Sequence, residues 1–166
     1  MSARIERFEA HHVLAVADID RAAFAQTRPA EEHLREELAR PWTKAWVAMG
    51  NDEDRVVGYL LSWHVADELH ILQVASALGD RRRGIGRALV EQALAYAVSQ
   101  RVRLVLLEVR RSNGAAIALY RRVGFIGSSV RRGYYSDGED ALEMLLELDP
   151  LTGARVPRVD EVELDD

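Results

Sequence analysis

The stretch that most constrains this chain is Gly79-Asp80-Arg81-Arg82-Arg83-Gly84-Ile85-Gly86-Arg87, set between an apolar run, Leu69 to Leu78, and an amphipathic pattern, Ala88 to Val98. Strand, basic glycine-bearing turn, helix: this order brings backbone N–H groups and guanidinium groups to a helix N-terminus. The unpaired amides and the helix dipole there favour an anion. The turn has no Gly-Lys-Ser/Thr of a Walker loop, and Leu89 stands where a dinucleotide fingerprint needs its third glycine. What is left is Arg-x-x-Gly-x-Gly, Arg81 to Gly86. It reads either as a pyrophosphate cradle, approached closely because glycine has no side chain, or as a tight turn beside a solvated arginine cluster.

Periodicity places the rest. Arg4 to Glu9 alternates as a first strand, and His11 to Phe24 and Pro29 to Arg40 carry helical spacing. Trp42 to Met49 and Arg55 to His64 flank Gly50 to Asp54 as a hairpin, and Glu68 to Leu78 is the next strand. A helix from Gly84 to Gln100, a strand from Arg103 to Val109 and a helix from Asn113 to Val123, closed by Gly124, follow. Phe125 to Arg132 and Asp140 to Leu148 pair around Gly133 to Glu139. The strand–helix–strand–helix run from Leu69 to Val123 implies a parallel pair with a right-handed crossover. The hairpins add antiparallel strands. The expected fold is α/β: one domain over residues 1–148, a mixed central sheet of about seven strands and four flanking helices. From Asp149 the periodicity is lost, and six acids against two arginines give residues 149–166 a charge of -4, which reads as a mobile acidic tail.

Composition narrows the chemistry. The absence of cysteine removes disulfides, thiolate metal sites and a cysteine nucleophile, and fits the cytoplasm. No apolar run reaches the ~20 residues of a membrane span, and charges at Arg4, Glu6, Arg7 and Glu9 argue against a signal peptide. The net charge is -5, of which -1 lies outside the tail, so neither nucleic acid nor a membrane is an expected partner.

Three further elements carry reactive groups. Glu108 interrupts the apolar strand Leu104 to Val109, where a carboxylate is costly unless it serves something. It is a candidate general base, or a strand-end acid reaching solvent or pairing with an arginine such as Arg110. Tyr120 follows Asn113 by seven residues and shares its helix face, so it is a candidate acid or a core tyrosine, while Asn113 is a candidate ligand or simply an N-cap. Arg131-Arg132-Gly133-Tyr134-Tyr135 puts paired tyrosines in a hairpin loop, to line a groove or to cover the core edge.

These residues carry a resemblance covering about half the chain, Leu69 to Leu148. Arg81 to Gly86 is similar to the Gln/Arg-x-x-Gly-x-Gly/Ala loop of the GCN5-related N-acetyltransferases. Leu107-Glu108-Val109-Arg110-Arg111-Ser112-Asn113, Ala115 to Phe125, Arg132-Gly133-Tyr134-Tyr135 and Gly138-Glu139-Asp140-Ala141 resemble, in order, segments of the RimI-type protein N-alpha-acetyltransferases. The resemblance implies a GNAT fold with a splayed parallel pair, and acetyl-CoA as co-substrate without a metal. Arg81, Arg82, Arg83, Gly84, Ile85 and Gly86 would hold its pyrophosphate, Val74, Ala75 and Ser76 its pantetheine, and Asn113 would help. Glu108 would be the general base and Tyr120 the general acid, with Tyr134 and Tyr135 on the substrate backbone. His70, on the strand face of Leu72 and Val74 by period two, is a second water-holding group or a packed histidine. Two departures stand out: Ser76-Ala77-Leu78 replaces the usual Val-Asp/His-Pro, and Gln26-Thr27-Arg28-Pro29-Ala30 has no aromatic after its proline. The paired tyrosines and Glu108 with Tyr120 favour a protein N-terminus as the expected acceptor, while the missing aromatic favours a small-molecule amine. The alternatives are a small-molecule amine, and a non-catalytic acyl-CoA sensor or a subunit acting with a partner.

Overall fold

The computed structural model describes residues 3–24, 29–51, 54–80 and 83–164. Among them the chain forms seven strands in one mixed sheet, order β1-β2-β3-β4-β5-β7-β6, and four α-helices. It divides into two compact units, Met1–His64 with Leu72–Ala93, and Val65–Ile71 with Leu94–Asp166. No described helix is long and apolar enough to cross a membrane.

In the first unit β1 (Arg4–Arg7) pairs antiparallel with β2 (Thr43–Met49), and β2 with β3 (Val56–Val65). Helix α1 (Val13–Ala23) buries Val13, Val16, Ala17 and Asp20, the i, i+3, i+4, i+7 stripe of an amphipathic helix. Asp20 is the exception in that stripe, and the buried Tyr59 hydroxyl donates to its carboxylate. Burial, then the Asp20 charge, push the Tyr59 phenol well above its usual range. Helix α2 (Ala30–Ala39) follows Pro29, has Glu31 and Glu32 in its first turn, and buries Ala30, Leu34 and Glu37.

The later part of β4 (Glu68–Ser76) and the start of α3 (Ile85–Ser99) complete this unit. Leu72, Ala75 and Ala77 all join the core cluster containing Leu34, Tyr59 and Leu61.

In the second unit the first four residues of β4 pair parallel with β5 (Leu104–Arg110), from Glu68 beside Leu104 to Ile71 beside Leu107. Strand β5 pairs antiparallel with β7 (Ala141–Glu147), and β7 with β6 (Ile126–Arg131). Val105, Leu107 and Val109 are buried, while Leu106, Glu108 and Arg110 share the half-exposed face. Helix α4 (Gly114–Val123) stops at Gly124, whose φ of 121° excludes a side chain at no cost only for glycine.

Residues 149–164 contain no helix or strand, but they are tied back onto this unit. Leu148 bridges Arg155, Val156 N–H donates to the Glu147 carbonyl (2.9 Å), and Glu161 N–H donates to the Gly127 carbonyl (2.8 Å). Asp160 accepts from Gly127 N–H and from Arg121, each at 3.0 Å. A side chain added at Gly127 would meet Leu164 at 2.9 Å. These contacts join residues 149–164 to the unit through single residues whose spacing follows no helical or strand period.

Candidate active site

The reactive face of the second unit follows from register. His70 lies beside Leu106 in the parallel pair, and Glu108, two residues on, shares the Leu106 face. His70 Nε2 stands 2.5 Å from Glu108 Oε2, with side-chain exposures of 29% and 10%. A carboxylate only accepts, so Nε2 carries the proton of this bond. Of the sequence alternatives for Glu108, pairing with Arg110 does not occur. Of those for His70, the structure brings the ring onto the carboxylate. Neither residue's spacing shows this, because the two lie on separate strands and meet only through β4–β5 pairing.

Arg110 instead staples the tyrosine loop. It donates to Asp137 (2.8 Å) and Glu139 (3.0 Å), and its guanidinium lies 4.1 Å from the Tyr135 ring centre. Glu139 also accepts from Ser112 N–H (2.9 Å), and Asp140 from Gly133 N–H (2.9 Å). Hydrogen bonds from Ser112 and Arg110 hold the Glu139 carboxyl below its usual range. Tyr134 and Tyr135 meet edge to face at 5.1 Å between ring centres, and Tyr134 remains half exposed. Burial raises both phenols, and the Glu108 charge adds to each.

Tyr120 is buried, with its ring edge-on to Phe125 at 5.8 Å. Burial, then the neighbouring Tyr135, push its phenol up to about 12. The group therefore keeps its proton throughout the neutral range. It also makes stability depend on alkali: the buried neutral form is favoured fully below the unfolded value near 10, and the contribution is lost as pH climbs towards 12. At about 1.4 kcal/mol per pH unit this amounts to roughly 2–3 kcal/mol. Tyr120→Phe is expected to flatten the fall of stability between pH 10 and 12 by about one proton's worth, read from urea midpoints at each pH. Asn113 accepts from Ala116 N–H at 3.2 Å, so its side-chain oxygen caps α4.

The anion-turn residues belong to the first unit. Leu78–Asp80 form a short 3-10 turn, Gly84 has φ 77°, and α3 begins at Ile85, with Gly86 in its first turn. Arg81 and Arg82 lie outside the described residues. Asp80, which the sequence reading did not single out, is buried. Arg55 forks onto it (2.9 and 3.2 Å) and Arg83 stands 3.5 Å away. The Arg55 hydrogen bonds hold the Asp80 carboxyl below its usual range. Arg83, expected to neutralise a phosphate, therefore shares its charge with Asp80. Val74, Ala75 and Ser76 occupy the end of β4, past Ile71, the last β4 residue in register with β5. Gly58, also missed, faces this region: a side chain there would meet Ile85 Cγ2 at 2.7 Å and the Ala75 carbonyl at 2.9 Å. Among the described residues no group of three or more acidic or histidine side chains is placed to hold a metal.

A sheet in this strand order, with a basic turn feeding α3 and a carboxylate on β5, is the scaffold of an N-acetyltransferase. The chain belongs to the acetyltransferase (GNAT) family, whose profile matches residues 13–125. It is 34% identical over 132 residues to the [ribosomal protein bS18]-alanine N-acetyltransferase of Escherichia coli K12, covering 71% of this chain and 89% of that one. An N-alpha-acetyltransferase of Sulfurisphaera tokodaii is 32% identical over 157 residues, covering 85% and 90%. The crystal structure of the ribosomal-protein-S18-alanine N-acetyltransferase from Escherichia coli superposes with a TM-score of 0.77 at 30% identity, over 87% of this chain and 92% of that one.

Proposed function

We propose that this enzyme transfers an acetyl group from acetyl-CoA directly to the N-terminal α-amine of a protein. The observation that carries the reading is the His70–Glu108 pair at 2.5 Å, on a strand face whose carboxylate also acts on the phenols of Tyr134 and Tyr135. The names of the bacterial and archaeal relatives support the same acceptor class.

In this reading Glu108 accepts the amine proton, through water, and His70 holds the carboxylate in position. Tyr120, protonated throughout the neutral range, donates to the departing sulfur. Tyr134 and Tyr135, fixed by Arg110, line the acceptor backbone. Arg83 and the N–H groups around Gly84, Ile85 and Gly86 hold the pyrophosphate, together with Arg81 and Arg82, and Val74–Ser76 offer backbone to the pantetheine. Bound acetyl-CoA supplies an activated thioester. A chain without cysteine has no thiol to carry the acetyl group, so amine and donor meet in a ternary complex. Acetyl-CoA and newly made chains meet in the cytoplasm, which we take as the compartment.

The test is a panel of peptides starting with Ala or Ser, run beside free polyamines, aminoglycosides and amino acids. Saturable acetylation of the peptide α-amine is the expected result. Turnover confined to the free amines would overturn the protein acceptor, and acetyl-CoA binding without turnover on either set would point to a sensor.

A further inference from the structure

Glu108 has a second carboxylate at its side that the proposed chemistry does not use. Glu143 of β7 lies directly opposite it in the antiparallel pair with β5, so both side chains stand on one face of the sheet. Like charges set opposite one another destabilise a pair of strands, and here a third strand supplies a cation. Arg131 of β6 donates to Glu143 Oε2 through both Nε (3.0 Å) and Nη2 (2.8 Å). Ser128 holds the same carboxylate, its hydroxyl 3.3 Å from Oε1 and 3.1 Å from the Glu143 carbonyl. Ser128 is the residue left over where the β6–β7 register shifts between Gly127 and Ser129, the kind of irregularity that re-aims a side chain. Glu143 is mostly buried and Arg131 half exposed.

The Arg131 guanidinium also stands 6.0 Å from the Tyr134 ring centre. Its hydrogen bonds to Glu143, and then the Glu143 charge, raise it above its usual range, and the Glu108 charge adds to them. Burial is the main cause that raises the Tyr134 phenol, with Glu108 and Glu143 adding to it and Arg131 opposing. Arg131 thus lies within electrostatic reach of both carboxylates. Glu108 is faced by His70 of β4, Glu143 of β7, Arg131 of β6, and Tyr134 and Tyr135 of the loop. Of these only Arg131 is positive at every working pH. Arg110, on β5 itself, is committed to Asp137 and Glu139.

Resting on Glu108 as the base, we infer that Arg131 and Glu143 are positioning residues for the acetyl transfer: Arg131 is the counter-ion that lets two carboxylates share this face, so that Glu108 takes the amine proton without the charge of Glu143 bearing on it. With Arg131 neutralised, Glu143 acts uncompensated on Glu108 and makes it hold protons more tightly. With Glu143 neutralised, Arg131 acts on Glu108 alone and makes it hold them less tightly. The two substitutions therefore work in opposite directions, and together they cancel.

The free enzyme, carrying glutamate labelled with carbon-13 at the side-chain carboxyl, would be titrated by NMR, the Glu108 signal being assigned by its loss in Glu108→Gln. In Arg131→Gln the apparent midpoint of Glu108, which it shares with His70, should rise by about half a pH unit or more, and in Glu143→Gln it should fall by a similar amount. The double variant, and Arg131→Lys, should return it to within about 0.3 unit of the unaltered enzyme. The acidic limb of kcat/KM on an Ala-starting peptide should move with each midpoint, because the acceptor's own amine titrates alike in every variant. A merely structural role produces no shifts of opposite sign. Midpoints that stay fixed in both single variants, or move the same way, would overturn the inference. Failure of the reading beneath it looks different: the midpoints shift as stated while no peptide is acetylated or the acidic limb ignores them, and the positioning role falls with the base. Should Arg131→Gln not fold, the near-isosteric Glu143→Gln still decides, since a midpoint that stays or rises there contradicts the pairing.

Discussion

Glu108→Gln is expected to lower kcat/KM for an Ala-starting peptide by about a hundredfold to ten-thousandfold, the range lost when a positioned general base is removed. The amide is isosteric and still accepts from His70 Nε2, so the fold and the KM for acetyl-CoA should hold while the chemical step fails. The acidic limb of the kcat/KM profile, which reports protonation of the essential base in the free enzyme, should vanish with it. A variant with normal turnover or an unchanged acidic limb would move the base elsewhere. His70→Gln should cost less, since that ring orients the carboxylate instead of taking the proton. Because the two groups act as one unit across 2.5 Å, the double variant should be little worse than Glu108→Gln alone. Additive losses would mean that His70 works independently of Glu108.

Gly58→Ala carries the second large effect, and its mechanism is steric. The new methyl would stand 2.7 Å from Ile85 Cγ2, 2.9 Å from the Ala75 carbonyl oxygen and 3.3 Å from Leu89 Cδ1. A leucine tip can rotate away, but the Ala75 oxygen is backbone of β4, and Ile85 opens α3. Relief therefore displaces the strand proposed to bind pantetheine, the helix start proposed to bind pyrophosphate, or both. Overpacking of this kind costs about 1–3 kcal/mol. In a chain of this size that corresponds to a Tm lower by roughly 2–10 °C. The KM for acetyl-CoA should rise several-fold, while the pH profile set by Glu108 keeps its shape. An unchanged Tm together with an unchanged KM would show that the β3–β4–α3 contact has slack enough to take the methyl.

Both effects arise at residues the sequence treats very differently. Glu108 is legible because a carboxylate in an apolar strand is anomalous wherever the strand lies. Gly58 is one glycine within Val56–Val65, and nothing in its neighbours says that a side chain there would stand within 3 Å of Ile85 and the Ala75 carbonyl. Asp80 shows the same limit. Inside a basic turn it reads as one more solvated acid, yet the structure buries it under Arg55, 25 residues away, and so ties the turn to the β2–β3 hairpin end. His70 reads from the sequence as a second water-holding group or a packed histidine, and its partner, 38 residues on, is not signalled there. Tyr120 is the reverse case, where helical spacing from Asn113 already implied one face, and burial then accounts for its raised phenol.

Element order, strand and helix type and the turn chemistry follow from the sequence alone, because period, capping residues and glycine positions act over fewer than ten residues of chain. These local features, with the motifs on β4, β5, α4 and the tyrosine hairpin, determined an acetyl-CoA-type scaffold and named Glu108 and Tyr120. Only the tertiary structure decided which groups meet. Parallel pairing of β4 with β5 set His70 on Glu108, Arg110 was drawn to the tyrosine loop and away from the carboxylate, and the segment after Asp149 met Glu147, Leu148, Arg121 and Gly127. Each of these depends on register between strands distant in sequence, and register is fixed by the packing of whole faces, which no local pattern along the chain encodes.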